Sequence, residues 1–307
     1  MEMDRTDEQL LETIADLHGI PEGSFNIRKN GKLLARNSDT DIEIVSKADK
    51  DGIDIIVKPN VKNKSVHIPV LLTVGDFQDT VYNDFFIGEN SDVTIVAGCG
   101  IHNDTCGNAE HDGIHTFYVG KNAKVRYIER HYANGSGTGK KVFDPITKIY
   151  LKENSQFILE STQLGGVTYT DRKTYAAVGK NAQLLVKEKI LTDGEEKAIT
   201  DFKVKLNGKN SRADIVSRSV AKGRSLQQFK SDMVGKNECF GHVECDGIVL
   251  DGARIISTPK IDAVSPEASL VHEAAVGKIA GEQLLKLMSL GLTEQEAEDA
   301  VIKGFLN

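Results

Sequence analysis

The hydrophobic pattern along this chain changes period twice. Near the start, Leu10, Leu11, Ile14 and Leu17 follow helical spacing, Thr6-Asp7-Glu8-Gln9 has the form of a capping box, and Gly19 with Pro21 marks a stop. From about Phe25 to Val271 the pattern becomes short alternating runs broken by Gly, Asn and Asp. Val93 and Ile95, Val125 and Tyr127, Phe157 and Leu159, Leu184 and Val186, and Ala213 and Ile215 show the period-two signal of strands with one buried face. Helical spacing then returns: Glu282 to Met288 run into Gly291, and Thr293-Glu294-Gln295-Glu296 forms a second capping box before Ala297, Ala300, Val301 and Phe305.

One phrase punctuates the strands. It reads Ile87-Gly88-Glu89-Asn90-Ser91, Val119-Gly120-Lys121-Asn122-Ala123 and Leu151-Lys152-Glu153-Asn154-Ser155 in its first three forms. It returns with Asn181, Asn210 and Asn237, so successive Asn positions are 32, 32, 27, 29 and 27 residues apart. A period in this range is the signature of a solenoid. Gly and Asn suit a tight corner because both tolerate positive φ. Val61-Lys62-Asn63 reads as an earlier coil and Pro266-Glu267-Ala268 as a later one. Eight coils stacked at strand spacing make a rod about 38 Å long. The fold expected is mainly β, a parallel solenoid over residues 25–275, with helical segments at 1–24 and 276–307.

Composition narrows the function. No apolar run reaches membrane-spanning length, and the Met1-Glu2-Met3 start lacks the basic-then-apolar form of a secretory signal. Four cysteines without an export signal read as free, ligating or reactive thiols in a reducing cytoplasm. A net charge of −7 with dispersed Lys and Arg argues against nucleic acid as the main partner. Residues 134–141 fail as a phosphate loop, since Asn134 and Lys141 stand where Gly and Ser or Thr are needed. The hexapeptide acyltransferases share the Val-Gly-Lys-Asn-Ala corner but repeat it every six residues, which makes them a remote alternative. A carbohydrate-cleaving β-helix fits poorly with no Trp and 6% aromatics.

The chemistry-bearing residues fall in two stretches. Cys99 and Cys106 lie near His102, His111 and His115, whereas Cys239 and Cys245 flank His242. Thiolates beside imidazoles are the ligand set of iron–sulfur or zinc sites, although the C-x6-C and C-x5-C spacings are not those of zinc fingers. Buried Cys filling a coil interior is the competing reading for any one of them. The C-terminal helices read either as caps over an exposed coil edge or as a docking surface.

Residues 242–253, His-Val-Glu-Cys-Asp-Gly-Ile-Val-Leu-Asp-Gly-Ala, resemble the cysteine-bearing coil of the SufB/SufD family of iron–sulfur cluster assembly scaffolds. Val271-His272-Glu273-Ala274-Ala275-Val276-Gly277-Lys278 and Glu282-Gln283-Leu284 resemble that family's closing motif, and the likeness extends back to about residue 65. It implies a right-handed parallel β-helix whose subunits pair through their β-helices. It also implies an ABC-type ATPase, SufC, held by the C-terminal helices, with Leu284, Leu287, Met288 and Phe305 as candidate docking residues. Carried over by position, Cys245, His272 and Glu273 match interface residues where a nascent cluster sits. Cys99 matches a cysteine that receives sulfur, Lys148 a lysine on the sulfur path, and His131 a position where SufB carries glutamine.

There are departures. The N-terminal region is shorter than in long SufB proteins and lacks their Cys-rich motif, and SufD generally lacks the interface cysteine. The expectation is therefore a compact SufB-like subunit working as a homodimer, in which one Cys supplies two ligands across a two-fold axis. It would be a non-catalytic scaffold for a transient cluster, [4Fe-4S] in form. Cys99, Cys106 and Cys239 are further candidate ligands, and a cysteine desulfurase or similar donor would supply the sulfur. The alternative is a structural adaptor of the ATPase complex that binds no cluster.

Overall fold

The structure, a computed structural model, describes residues 3–306; Met1, Glu2 and Asn307, the ends of the two outer segments, lie outside the described residues. From Phe77 onward each coil contributes one strand to each of two facing sheets, save the coil in which Lys141–Phe143 and Ile146–Leu151 share one place, and all of these strands pair in parallel. One sheet has eleven strands and the other ten. The result is the expected parallel β-solenoid, flattened so that its interior lies between two sheets. Inward positions alternate with outward ones as the sequence pattern requires: Val125, Tyr127, Phe157, Leu159, Leu184, Val186, Ala213 and Ile215 all lie in one continuous apolar core.

The corners explain the repeated phrase. Asn90, Asn122, Asn154, Asn181 and Asn210 adopt φ between +55° and +60°. Each donates its side-chain amide to the Asn oxygen of the preceding coil at 2.9–3.2 Å, which makes a ladder up the rod. The ladder begins at Asn60 rather than at Asn63, because Asn60 stands directly beneath Asn90. Asn237 is not among the residues with positive φ. The glycines of the phrase serve a different purpose from the one expected. Gly88, Gly120 and Gly208 have ordinary φ, but a Cβ at these positions would come within 2.1–2.8 Å of the backbone of the coil below. Stacking distance, not handedness of the turn, demands Gly there.

The two ends differ. At the N-terminal end, strands Ser24–Lys29 and Lys32–Asn37 pair antiparallel, as do Ile42–Ser46 and Gly52–Val57, which closes the first coil. Helix α1, Arg5–Ala15, covers the outer face of the first sheet, burying Leu10, Leu11 and Ile14. Gly98 and Gly100 let it approach, since a Cβ on Gly98 would meet the Ile14 carbonyl at 2.5 Å. The cap of α1 is Asp4, whose carboxylate accepts from Asp7 N–H while Asp7 accepts from Asp4 N–H, so the capping box sits two residues earlier than Thr6. The helix also ends earlier than Gly19, at Asp16 in the left-handed region. A buried Lys29–Asp7 pair at 2.6 Å pins it.

At the C-terminal end the last strands, Arg254–Ala263 and Ala268–Gly277, each pair on one side only. Their lumen-facing residues Ile255, Ser257, Ile261, Leu270 and His272 remain partly or largely exposed. Helices α2, Gly281–Ser289, and α3, Glu294–Leu306, pack beside this opening rather than over it, against Val220 and Ile248. The Thr293 and Glu296 capping box of α3 is formed as expected.

The corner geometry makes a paired prediction. Gly208→Ala forces a Cβ to within 2.1 Å of the Lys180 nitrogen, and we expect a loss of about 2 kcal/mol. Gly304→Ala on α3 has nothing within 4 Å and is expected to change stability by less than about 1 kcal/mol. Urea unfolding midpoints of the two variants measure the contrast.

Candidate functional site

Inside the solenoid the core is apolar near the Asn ladder and polar toward the opposite corner. The alternation that buries Val125 and Tyr127 continues inward to Glu129 and His131; likewise Leu184 and Val186 lead to Glu188, Ala213 and Ile215 to Ser217, and Val243 to Cys245. Strand register aligns these residues. Glu129, Ser161, Glu188, Ser217 and Cys245 form one straight row across five neighbouring strands. Cys99, His131 and Gln163 form the adjacent row, two residues further along the strands. The second sheet faces them with Asp79, His111, His115 and Arg172, all buried.

This lane is a hydrogen-bonded charge network. Arg172 binds Glu129 through Nη1 and meets His131 Nδ1 at 2.9 Å with Nη2. Ser217 donates to Glu188 at 2.8 Å, and Tyr127 donates to Glu129 at 3.2 Å while its hydroxyl also meets His115 Nδ1 at 2.6 Å. Burial penalises every charge here. Glu129 overcomes that penalty through Arg172 and the histidines around it, and is held down at about 2. Glu188 does not: burial pushes it up despite Arg172. Burial also drives His115 down to about 4 and, with Arg172 adjacent, His131 down to about 3. Both imidazoles are therefore neutral near neutral pH.

His111 behaves oppositely. Burial works against its charge, but the Cys99 sulfur and the Asp79 carboxylate, 3.1 Å from Nδ1, raise it to about 10. Asp79 in turn accepts from Arg28 at 3.0 Å, and despite its burial it is held below the usual carboxylate range by His111 and Arg28.

At the far end of the lane, burial pushes the Cys245 thiol up, partly offset by the nearby Ser257 hydroxyl. His272 pairs with Val243 in register, so its ring points to the same lumen side as Cys245 on the neighbouring strand. Its Nε2 is shielded from solvent and has no hydrogen-bond partner.

Several expected site residues are not brought together. Cys99 lies five strands from Cys245, about 24 Å away at sheet spacing, too far to share a cluster within one subunit. The coils therefore do not carry Cys99 to the surface where Cys245 and His272 lie. Cys239 is six residues from Cys245 on the same strand, about 20 Å, at the Asn-ladder end. Cys106 is exposed on the turn after strand Asp92–His102. Glu273 pairs with Glu244 and points outward, opposite to His272. Lys148 also points outward, between Thr116 and Tyr175, and it is Thr147 that faces the lumen. Among the described residues, the one cluster of potential ligands within metal-binding distance is Glu110, Asp112 and Asp144 on the outer surface, not the Cys and His grouping. On the helices, Leu284 and Phe305 turn toward the body, whereas Met288 is exposed together with Leu285 and Leu290.

Sequence reading had missed Glu129, Arg172, Glu188, Ser217 and Asp79. The signal was present: charged and hydroxyl residues stand at inward positions of an established alternation. It is conspicuous only once the phase of each strand is carried past its apolar half.

The network sets stability. Arg172→Leu leaves Glu129 buried without its partner and should cost about 3–5 kcal/mol, whereas Arg172→Leu with Glu129→Leu should recover most of it. Unfolded histidine titrates near 6.5, above the folded values of His115 and His131. The unfolded chain thus takes up more protons, and stability at these two sites falls as pH drops from about 6.5 toward 4. Denaturant titrations of wild type and His131→Gln across that window measure it, and the variant should show the shallower slope.

Comparison with known proteins follows the same lines. Residues 81–305 match the family model described as SUF system FeS cluster assembly, SufBD core domain. The chain is 32% identical over 279 residues to an iron–sulfur cluster assembly SufBD family protein of Archaeoglobus fulgidus, covering 90% of this chain and 73% of that one. It is 34% identical over 245 residues to one of Methanothermobacter thermautotrophicus, covering 76% of this chain but only 57% of the relative. A Methanocaldococcus jannaschii member is 28% identical over 295 residues, covering 94% and 92%. With a polar lane leading to a cysteine one strand in from the open edge, and with this match over most of its length, the chain belongs to the SufBD family of iron–sulfur cluster assembly proteins.

Proposed function

We propose that this chain is a scaffold subunit on which a nascent iron–sulfur cluster is assembled at the junction of two copies, with sulfur entering at Cys99. The observation that carries the reading is the buried row from Glu129 to Cys245, flanked at one end by Cys99 and His131 and ending one strand short of the open sheet edge. Cys245 and His272 are the ligands, each supplied twice across a two-fold axis. Cys99 is a sulfur acceptor rather than a ligand of that cluster.

In the sulfur step the Cys99 thiolate attacks the outer sulfur of a donor persulfide. The new Cys99–sulfur bond forms as the donor's own sulfur–sulfur bond breaks, and the donor leaves as a thiolate, with no net oxidation. Ser161, Ser217 and charged groups fill the buried row between Cys99 and Cys245, and an external thiol reductant supplies the two electrons that release the persulfide's outer sulfur as sulfide for the cluster.

The pairing surface follows from the open end. Two unpaired strand edges and a partly apolar lumen mouth are costly to leave in water. At the start of strand Arg254–Ala263 and just past its end, Arg254 and Val264 direct their N–H inward to the Ser225 and Gly235 carbonyls. By alternation position 259 faces the open edge, so Pro259 sacrifices no internal hydrogen bond. A second copy stacked on this mouth buries Ile261 and Leu270 and brings the two Cys245 sites near each other. The exposed Leu285, Met288 and Leu290 of α2 and the segment after it remain available to an ABC-type ATPase.

Anaerobic reconstitution with iron and sulfide should load the wild type and fail in Cys245→Ser; equal iron and sulfide in both would remove Cys245 as a ligand and leave the adaptor reading. Cys99→Ser should load from free sulfide but not from a persulfide donor. Ile261→Asp at the lumen mouth should shift the chain from dimer to monomer by light scattering.

A further inference from the structure

We propose that Asp79 and His111 are positioning residues for Cys99, forming an Asp–His–Cys relay in which the imidazolium of His111 is the counter-ion of the Cys99 thiolate. The proposal rests on the reading of Cys99 as the sulfur acceptor and supplies what that reading needs, a reason why this thiol reacts rather than the other three.

The geometry is that of an oriented acid–base pair. His111 is 2% exposed and Asp79 4%, so neither is solvated. Asp79 Oδ2 fixes His111 Nδ1 at 3.1 Å, and its other oxygen accepts from Arg28 at 3.0 Å. A carboxylate anchored this way fixes the ring's orientation and favours its protonated form. That leaves Nε2 buried in the lumen and without a hydrogen-bond partner. Cys99 stands across from it: its in-register neighbour His131 stacks at 4.5 Å on Phe143, the in-register neighbour of His111, and the sulfur favours the charged ring. A buried nitrogen left without a hydrogen-bond partner calls for an explanation, and the thiol across the lumen supplies one.

The surroundings favour a charge pair at this spot. His115 on the same strand and His131, paired with Cys99 in register, are both held neutral. Glu129 is spoken for by Arg172, and Arg28 by Asp79. His111 is therefore the cation left for the Cys99 sulfur. Reactive cysteines depend on such partners, because the thiolate is the nucleophile. Cys245 lies in a different setting, where burial holds the thiol protonated beside Ser257. Cys106 is exposed and Cys239 is at the ladder end. The relay thus gives the lane a direction: a thiol with an oriented counter-ion where sulfur arrives, and at Cys245 a thiol that burial holds protonated.

The test uses the full chain carrying Cys106→Ser, Cys239→Ala and Cys245→Ala, with Cys99→Ser added as the blank. The ultraviolet thiolate band, recorded against pH, should be present at about pH 7 and disappear on acidification. His111→Gln should lower the thiolate fraction at about pH 7 by about thirtyfold, the difference between full ionisation and an ordinary thiol. Asp79→Asn should move the titration of the band toward neutral pH, with the β-sheet circular dichroism unchanged. A missing band in the His111-containing protein overturns the relay, and so does a band that His111→Gln leaves intact. Should His111→Gln fail to fold, the titration of the His111-containing protein decides alone. If the band is present but Cys99 takes no sulfur from a small-molecule persulfide, the relay stands and the sulfur-acceptor reading fails.

Discussion

Everything in this molecule depends on the in-register stacking of one coil on the next. Parallel ladders fix each strand residue directly above its counterpart, and at sheet spacing there is no slack for a bulge or a slipped register. The corners feel this first. Asn must take the left-handed conformation so that its amide reaches the Asn below, and Gly must stand where the lower coil leaves no room for a Cβ. The repeat in the sequence is a record of that constraint.

The same stacking turns single inward residues into continuous rows. An inward Glu, Ser or Cys on one strand has its functional neighbours one coil away, 27 to 32 residues distant in sequence. A solenoid interior can therefore hold a polar lane beside an apolar core without disturbing either. Glu129 and Arg172 show what this requires, since each is tolerable inside only because the other is there. Charge is consumed pairwise along the lane, and the pairings determine which histidines are neutral and which is cationic.

The asymmetry of the ends matters as much as the interior. Antiparallel strands and α1 finish the first coil, while the last coil is left with unpaired edges and an open mouth next to Cys245 and His272. Finishing one end while leaving the other open is what a rod needs if it is to join another rod there, and the ligand-type residues lie at that open end.

Much of this was legible in the chain. The Asn spacing identified a solenoid, the alternation identified the buried faces, and residues 242–253 and 271–284 pointed to the family. The capping box of α3 was readable, whereas that of α1 was misplaced because Asp4 and Thr6 are both competent caps and only packing against the first sheet chooses between them. The sequence by itself determined coil length, strand phase and the identity of the thiols, because these follow from local periodicity. Only the tertiary structure decided that Cys99 and Cys245 are far apart, that Lys148 and Glu273 face outward, and that His111 is held by Asp79. Those outcomes depend on register between strands and on which sheet faces which, and neither is encoded in the spacing of residues along a single strand.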